Sequence, residues 1–421
     1  MQKLKSIVMH WKSRFSNSAV SLSKPKRTKI KLVAIAKDEA AYFPEWIHHH
    51  LYFGFDEIEI YINRTSDNSE EILEHIHVSY PQVKWRSADW IDKCPQDAKK
   101  QIQFIVYNKV WDETLSENNF DYILFLDIDE FWIPQSFNQS IHDFMDKFAS
   151  EDVVSFEWLN DLGNLKPLSS LPKIIEGNLS PLVKTIYPVD TKIKELRHHV
   201  PLFEGKHNHV LADKEPFTSR PSLIQAVSEE QQSFKDAFIY HRAHRSIEEY
   251  ISLLYRGRPG DSFPYKTNRY GLPITEKHYN KLHIPDREYN EYSNSYISFI
   301  EQQKLVSLKE EAEEFVWHRF KQSMCKLKEF VDKDYSLMMQ MFRGVYQHEV
   351  AAIFAEKRIE MIKQQPDDFR LIRDLAIDAA TQNIDEAISL MTQAQCLNPD
   401  GPVINQKLIE FKKISASRLV N

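Results

Sequence analysis

Between Lys29 and Pro134, short apolar runs alternate with amphipathic stretches. KIKLVAIA (29–36) predicts a first strand that runs out into Lys37-Asp38-Glu39. AAYFPEWIHHHLYFGF follows with Tyr42, Trp46, His50 and Phe53 at helical spacing and Gly54 as a stop, which predicts a helix with His50 facing inward. EIEIYIN (57–63) alternates and predicts a strand, and TSDNSEEILEHI predicts a helix capped by Ser66 or Asp67 with acids in its first turn. VKWRSA (83–88) predicts a third strand. In DAKKQIQFIVYNKVWDE, Ile102, Ile105, Val106, Lys109 and Val110 recur at three and four and predict an amphipathic helix. FDYILFLDIDEFWIP (120–134) predicts a fourth strand.

Such alternation implies an α/β fold with a mainly parallel sheet sandwiched by helices. Ligands bind sheets of this kind at the carboxyl ends of the strands. The polar exits Lys37-Asp38-Glu39, Asn63-Arg64, Asp89 and Asp127-Asp129 would therefore converge on one crevice. DVVSFEWLN (152–160) predicts a further strand. From 160 to 245 the pattern loosens into short strands and loops, as expected of substrate-binding segments. SIEEYISLLYRG (246–257) predicts a helix, and from about 296 onward the pattern is almost wholly helical. The Ala-rich segments broken by QQPDD and LNPDGP resemble tetratricopeptide hairpins, which read either as a packed helical appendage or as a protein-docking module. Three regions are expected: a basic leader (1–30), an α/β domain (31–295) and an all-α C-terminal region (296–421).

Composition narrows the function. A net charge of −7 removes any global attraction to nucleic acid. The 3 cysteines, Cys94, Cys325 and Cys396, lack CxxC spacing, which argues against a zinc ribbon or disulfide scaffold and suits a reducing compartment. With 9 glycines and neither GxGxxG nor GxxxxGK[ST], dinucleotide-fold and P-loop readings lose their support. No apolar run approaches the roughly 20 residues of a membrane span, and MQKLKSIVMHWKSRF lacks a signal-peptide core. The expected location is cytoplasmic. In the leader, Leu4, Ile7, Val8, Trp11 and Phe15 would share one helical face among many lysines, so peripheral contact with an inner membrane stands beside a plain solvated segment.

The run Tyr122–Leu126 ends in three carboxylates, Asp127, Asp129 and Glu130. Buried unpaired carboxylates are costly, so solvent, a basic partner or a metal ion must make them tolerable. On a strand, residues i and i+2 share a face. Asp127 and Asp129 would then form a partial oxygen site for Mg²⁺ or Mn²⁺, completed by water and substrate phosphates. Glu130 would face away toward a Lys or Arg, with Phe131 and Trp132 walling the pocket or packing beneath it. His48-His49-His50 cannot converge on one ion from consecutive helical positions. His198-His199 and His207-x-His209 are read as lining a substrate pocket or pairing with acids such as Glu195 and Glu204, rather than holding zinc.

AIAKDEAAYFPEWIHHHLYFGFDEIEIYINRTSDNS, followed by LFLDIDEFW, resembles the family 2-like and family 92-like glycosyltransferases of the GT-A fold. The likeness covers residues 31–134 closely and continues through FEWLNDLGN, LVKTIYP and YHRAHRSIEEY. It implies transfer of a hexosyl group from a nucleotide sugar, UDP-sugar favoured, to a saccharide or glycolipid acceptor. By the same resemblance Asp127 and Asp129 bind metal, diphosphate and ribose; Asn63, Ser66 and Asp67 lie beside the nucleobase; Lys37 and Glu39 line base and ribose. His241 is matched to a late metal-completing histidine, with His244 as the alternative. Asp38 and Asn63 depart from the commoner residues at their positions.

Arg242 and Arg245 could neutralise the diphosphate as the leaving group gains charge. An inverting transfer needs a carboxylate base on the acceptor side; Asp161 is the candidate and Glu157 the second, while Asp161 also reads as a turn cap beside Gly163. The leader and the family context suggest a bacterial enzyme of surface polysaccharide or lipopolysaccharide synthesis. Two other readings compete: a haloacid-dehalogenase-type phosphatase, which also places D-x-D after a hydrophobic strand, and a non-catalytic transferase-like scaffold binding partners through its helical C-terminus.

Overall fold

The computed structural model describes residues 27–257, 263–273 and 279–418. The expected basic leader lies outside the described residues except for its last four positions. Strands β1 (Ile30–Ala36), β2 (Glu57–Ile62), β3 (Val83–Ser87), β4 (Tyr122–Phe125), β5 (Glu130–Pro134), β6 (Asp152–Asn160), β7 (Ile174–Pro188) and β8 (Ala237–His241) form the path β3-β2-β1-β4-β7-β6-β8-β5 of one sheet. The pairs along β3-β2-β1-β4 are parallel, as expected. β7 runs antiparallel to both β4 and β6, and β5 runs antiparallel to β8, so the sheet is mixed.

β7, 15 residues long, lies where short strands and loops were expected. Gly177, Asn178, Ser180 and Pro181 break the alternation there, and tertiary pairing supplies what the local pattern lacks. Gly177 is also required sterically, since a Cβ would collide with the Asn160 carbonyl on β6. The alternating strand β2 has no exposed residue. Its glutamates meet cations from both neighbours: Lys31 lies 3.1 Å from Glu57 and 2.7 Å from Glu59, Lys84 lies 2.7 Å from Glu57, and Arg86 lies 2.9 Å from Glu59. A period-2 pattern marks a strand but does not say that its polar face is open to water.

Helix α1 (Phe43–Tyr52) buries all three of His48, His49 and His50, where His50 alone was expected to face inward. The His49 ring bonds the Trp132 carbonyl at 2.9 Å and the Tyr292 hydroxyl at 3.1 Å, and His48 bonds Ser295 at 3.0 Å. Burial lowers the pKa of His48 to about 4 and of His50 to about 3, so all three rings serve as neutral core groups. Helix α2 (Ser69–Ser79) starts after the expected caps, but Asp67 accepts from the Ser69 N–H at 3.1 Å and so still serves the helix start. Helix α3 (Ile102–Glu117) buries Ile102, Val106, Tyr107, Val110 and Thr114.

Beyond the sheet run helices α4 (Ile247–Leu254), α5 (Asp286–Gln302), α6 (Val306–Lys333), α7 (Tyr335–Phe342), α8 (His348–Gln364), α9 (Phe369–Ala379), α10 (Ile384–Leu397) and α11 (Pro402–Arg418). The main hydrophobic cluster takes in Leu305, Leu308, Ala312 and Val316, so α6 packs on the α/β core. The last helices share a separate cluster in which Ala376, Ala379, Ala387 and Ala394 let backbones approach closely. Among the described residues no helix is long and apolar enough to cross a membrane.

Candidate functional site

β4 ends at Phe125, and Asp127–Asp129 form a turn closed by the Glu130 N–H donating to the Asp127 carbonyl at 3.0 Å. The shared-face argument for a strand through both aspartates therefore does not apply. The physical reason is topological: β5 pairs at the far edge of the sheet, so the chain must leave β4 before the aspartates. Two bonds to its backbone carbonyls fix this turn. The Arg242 N–H donates to the Asp129 carbonyl at 2.7 Å, and the Trp46 indole donates to the Glu130 carbonyl at 2.8 Å. Register between β5 and β8 then sets His241 opposite Glu130.

The three carboxylates have different partners. Lys184, from the middle of β7, lies 3.0 Å from Glu130 and 3.3 Å from Asp127, with its side chain only 1% exposed. Burial alone would lower the Lys184 pKa, but the Asp127 and Glu130 carboxylates outweigh it and hold the ammonium charged. Burial pushes the Glu130 carboxyl well above its usual range, against the pull of Lys184. A lysine partner for Glu130 was anticipated; its sharing with Asp127 was not. Phe131 and Trp132 are buried beneath the turn.

Asp129 faces the opposite set. Its Oδ2 lies 3.6 Å from His241 Nε2 and 3.8 Å from Arg269 Nη2. Burial would raise the Asp129 pKa, yet His241, Arg245 and Arg269 hold it well below the usual carboxylate range. His241 Nδ1 is 3.0 Å from Asn160 Oδ1 and donates to it, which turns Nε2 toward the Asp129 carboxylate. A proton or a cation can sit between the two. Among the described residues no group of three His, Cys, Asp or Glu side chains is close enough to hold a metal. Asp129 and His241 could offer a divalent ion two protein donors, the rest of its shell then coming from water and substrate oxygens.

At the exit of β1, Glu39 pairs with Arg256 and lies 3.5 Å from Arg245. Arg256 also donates to the Lys37 carbonyl at 2.8 Å. The Arg245 guanidinium sits 3.4 Å from the centre of the Tyr42 ring. Asp38, with φ 51, accepts from the Ser66 N–H at 2.7 Å and lies 3.6 Å from Arg319 of α6. Asp67 accepts from the Ala40 N–H at 2.9 Å, and Asn63 donates to Asp89 at 3.0 Å. Lys37, Glu39, Asn63, Ser66 and Asp67 thus occupy neighbouring strand exits as expected, though Asn63 and Asp67 brace those exits with their own side chains.

Asp161 is fully buried and both its oxygens are engaged. Oδ1 accepts from the His244 N–H at 2.9 Å and Oδ2 from the Arg245 N–H at 2.5 Å, where Arg245 has φ 57. It holds the 241–245 segment in shape instead of standing open to an incoming hydroxyl. Glu157, the second candidate base, sits 2% exposed on β6 and accepts from the Ser233 N–H at 3.3 Å; burial lifts its pKa to about 7. Arg242 is likewise not brought to the cluster: it pairs with Glu45 at 2.8 Å and donates to the Ser169 carbonyl at 2.6 Å.

The family model of glycosyltransferase family 92 matches residues 33–173. Over that segment the chain is similar to family 92 glycosyltransferases, which supports a transferase of sugars. No curated protein gives a match. An enzyme of this type binds a sugar donor and an acceptor. The matched segment holds the Asp127–Glu130 turn and Asp161, while Lys184, His241, Arg245, Arg256, Lys266, Arg269 and Arg319 all lie beyond it. Sequence reasoning passed over Lys184, Lys266, Arg269 and Arg319. Only Lys184 carried a legible signal, a lone cation inside the apolar run LVKTIYP.

Proposed function

We propose that this glycosyltransferase is metal-dependent and moves a hexosyl group, with inversion, from a nucleotide sugar, UDP-sugar favoured, to a saccharide or glycolipid acceptor. The observation that carries the reading is Asp129 facing His241 at 3.6 Å, beside a set of buried cations. Mn²⁺ or Mg²⁺ held by Asp129 and His241, with Asp127 near, would supply positive charge against the developing diphosphate. Arg245 adds fixed positive charge from its place over Tyr42, already desolvated and needing no reorganisation. Lys184 keeps Glu130 from adding uncompensated negative charge beneath the site. Asp161 fixes the His241–Arg245 segment that carries both groups.

The physiological role proposed is surface polysaccharide or lipopolysaccharide synthesis, with the C-terminal helices available to a protein partner. A thermal-melt panel with UDP, GDP, CMP and TDP, each with and without Mn²⁺, tests the site on wild type and Asp129→Ala. A ligand at about 100 times its dissociation constant adds roughly 2.7 kcal/mol. A shift with one nucleotide that needs Mn²⁺ and is lost in Asp129→Ala supports the proposal; no shift with any nucleotide would overturn it.

A further inference from the structure

A cavity of about 690 Å³ lies between the Ser66–Asn68 loop and helix α6, with Phe315, Trp317, His318, Glu314 and Lys321 on the helical side. Its volume falls in the range of small-molecule sites. Contacts lead from it to the carboxylate centre. Ser66, on its wall, donates to Asp38 at 2.7 Å; Asp38 lies 3.6 Å from Arg319; Glu39, next in sequence, pairs with Arg256 and Arg245. Arg319 is buried, its Nε donates to Ser252 at 3.0 Å, and its Nη1 has no hydrogen-bond partner among the described residues. Arg269 Nε is unpartnered in the same sense. The buried arginines at this end carry donor capacity that their own carboxylates do not use.

The cations there are Arg245, Arg256, Lys266, Arg269 and Arg319; the acids near them are Asp38, Glu39 and Asp129, with Glu249 behind Arg245. Burial, with Arg256 and Arg269 close by, pushes the Lys266 ammonium well below its ordinary range, a crowding of like charges that an anion between them would relieve. We infer that helix α6, which lies outside the family-matched segment, completes the donor site: Phe315 and Trp317 hold the nucleobase, and Arg319 with Arg256, Lys266 and Arg269 holds the diphosphate. This rests on the nucleotide-sugar reading above. The aromatic faces suit stacking on a planar base, Glu314 offers an acceptor for ribose hydroxyls, and guanidinium forks suit phosphate oxygens. Arg319 stands beside Asp38 at the cavity end, and Arg269 beside Asp129 at the other.

Calorimetric titration of the full chain with UDP, GDP, TDP, CMP and inorganic pyrophosphate, in magnesium buffer, tests the assignment on wild type, Trp317→Ala, Trp317→Phe, Arg319→Gln and Arg319→Lys. Trp317→Ala is expected to weaken the bound nucleotide about tenfold or more while leaving pyrophosphate unchanged, with Trp317→Phe restoring most of the loss. Arg319→Gln is expected to weaken nucleotide and pyrophosphate alike, and Arg319→Lys less so. Equal nucleotide affinity in wild type, Trp317→Ala and Arg319→Gln would overturn the inference and leave the donor reading standing. Equal loss of nucleotide and pyrophosphate in Trp317→Ala would overturn the base assignment. Absence of nucleotide binding by wild type would overturn both readings together.

Discussion

The Lys184 ammonium lies 3.0 Å from the Glu130 carboxylate, and both side chains are buried. That contact, extended to Asp127 at 3.3 Å, makes the end of the apolar run Tyr122–Leu126 tolerable. Removing the cation leaves a buried carboxylate unpaired, which costs about 3–5 kcal/mol. Lys184→Met is therefore expected to lower stability by that order in urea denaturation. Adding Glu130→Gln should recover part of the loss, because an amide tolerates the site without a counter-charge. A Lys184→Met variant as stable as wild type would mean that the pair does not support the turn.

Asp161→Asn separates holding the loop from taking a proton. An amide can keep one of the bonds to the His244 and Arg245 N–H groups, not both, so stability should fall by about 1–3 kcal/mol. Donor affinity should fall with it, since Arg245 at φ 57 loses its anchor. A general base would behave differently: turnover would vanish with melting temperature and donor affinity unchanged, and the pH profile would lose its acidic limb.

Acid should weaken the fold through helix α1. His48 and His50 are held at about 4 and about 3, and His49 well below its ordinary 6.5. These are histidines with depressed folded-state values, so the unfolded chain binds more protons below pH 6.5 and stability falls as pH falls. Each contributes a slope of at most about 1.4 kcal/mol per pH unit between 6.5 and its folded value. Melting temperature followed from pH 7.5 to 5 should drop, and His48→Gln should flatten the slope. An unchanged slope in His48→Gln would count against its being held neutral.

Gly271 has φ 84, and a Cβ there would strike the Arg343 carbonyl, which accepts the Leu272 N–H at 2.8 Å. Gly271→Ala should cost about 1–3 kcal/mol from backbone strain, with the clash in addition. Arg269 and Lys266 lie two and five residues before Gly271, so pyrophosphate affinity should fall as well. Normal stability in Gly271→Ala would show that the segment can shift without loss.

Much of this protein was legible as a string of residues. Alternating apolar runs determined strands β1 to β4 and their helices, because period and burial are local properties of the chain. The carboxylates after the run Tyr122–Leu126 marked a strand exit, and a basic partner for Glu130 could be anticipated from the cost of burying it. Tertiary structure decided the rest. It turned the triplet into a loop because β5 pairs across the sheet, and it built β7 through a segment broken by Gly177 and Pro181. It set Asp161 to holding backbone, tied Arg242 to Glu45, and brought Arg269 and Arg319 toward residues well over a hundred positions earlier. Periodicity reports which face of an element is buried; which distant charge lies against that face depends on strand order and register, and these become fixed only when the whole sheet closes.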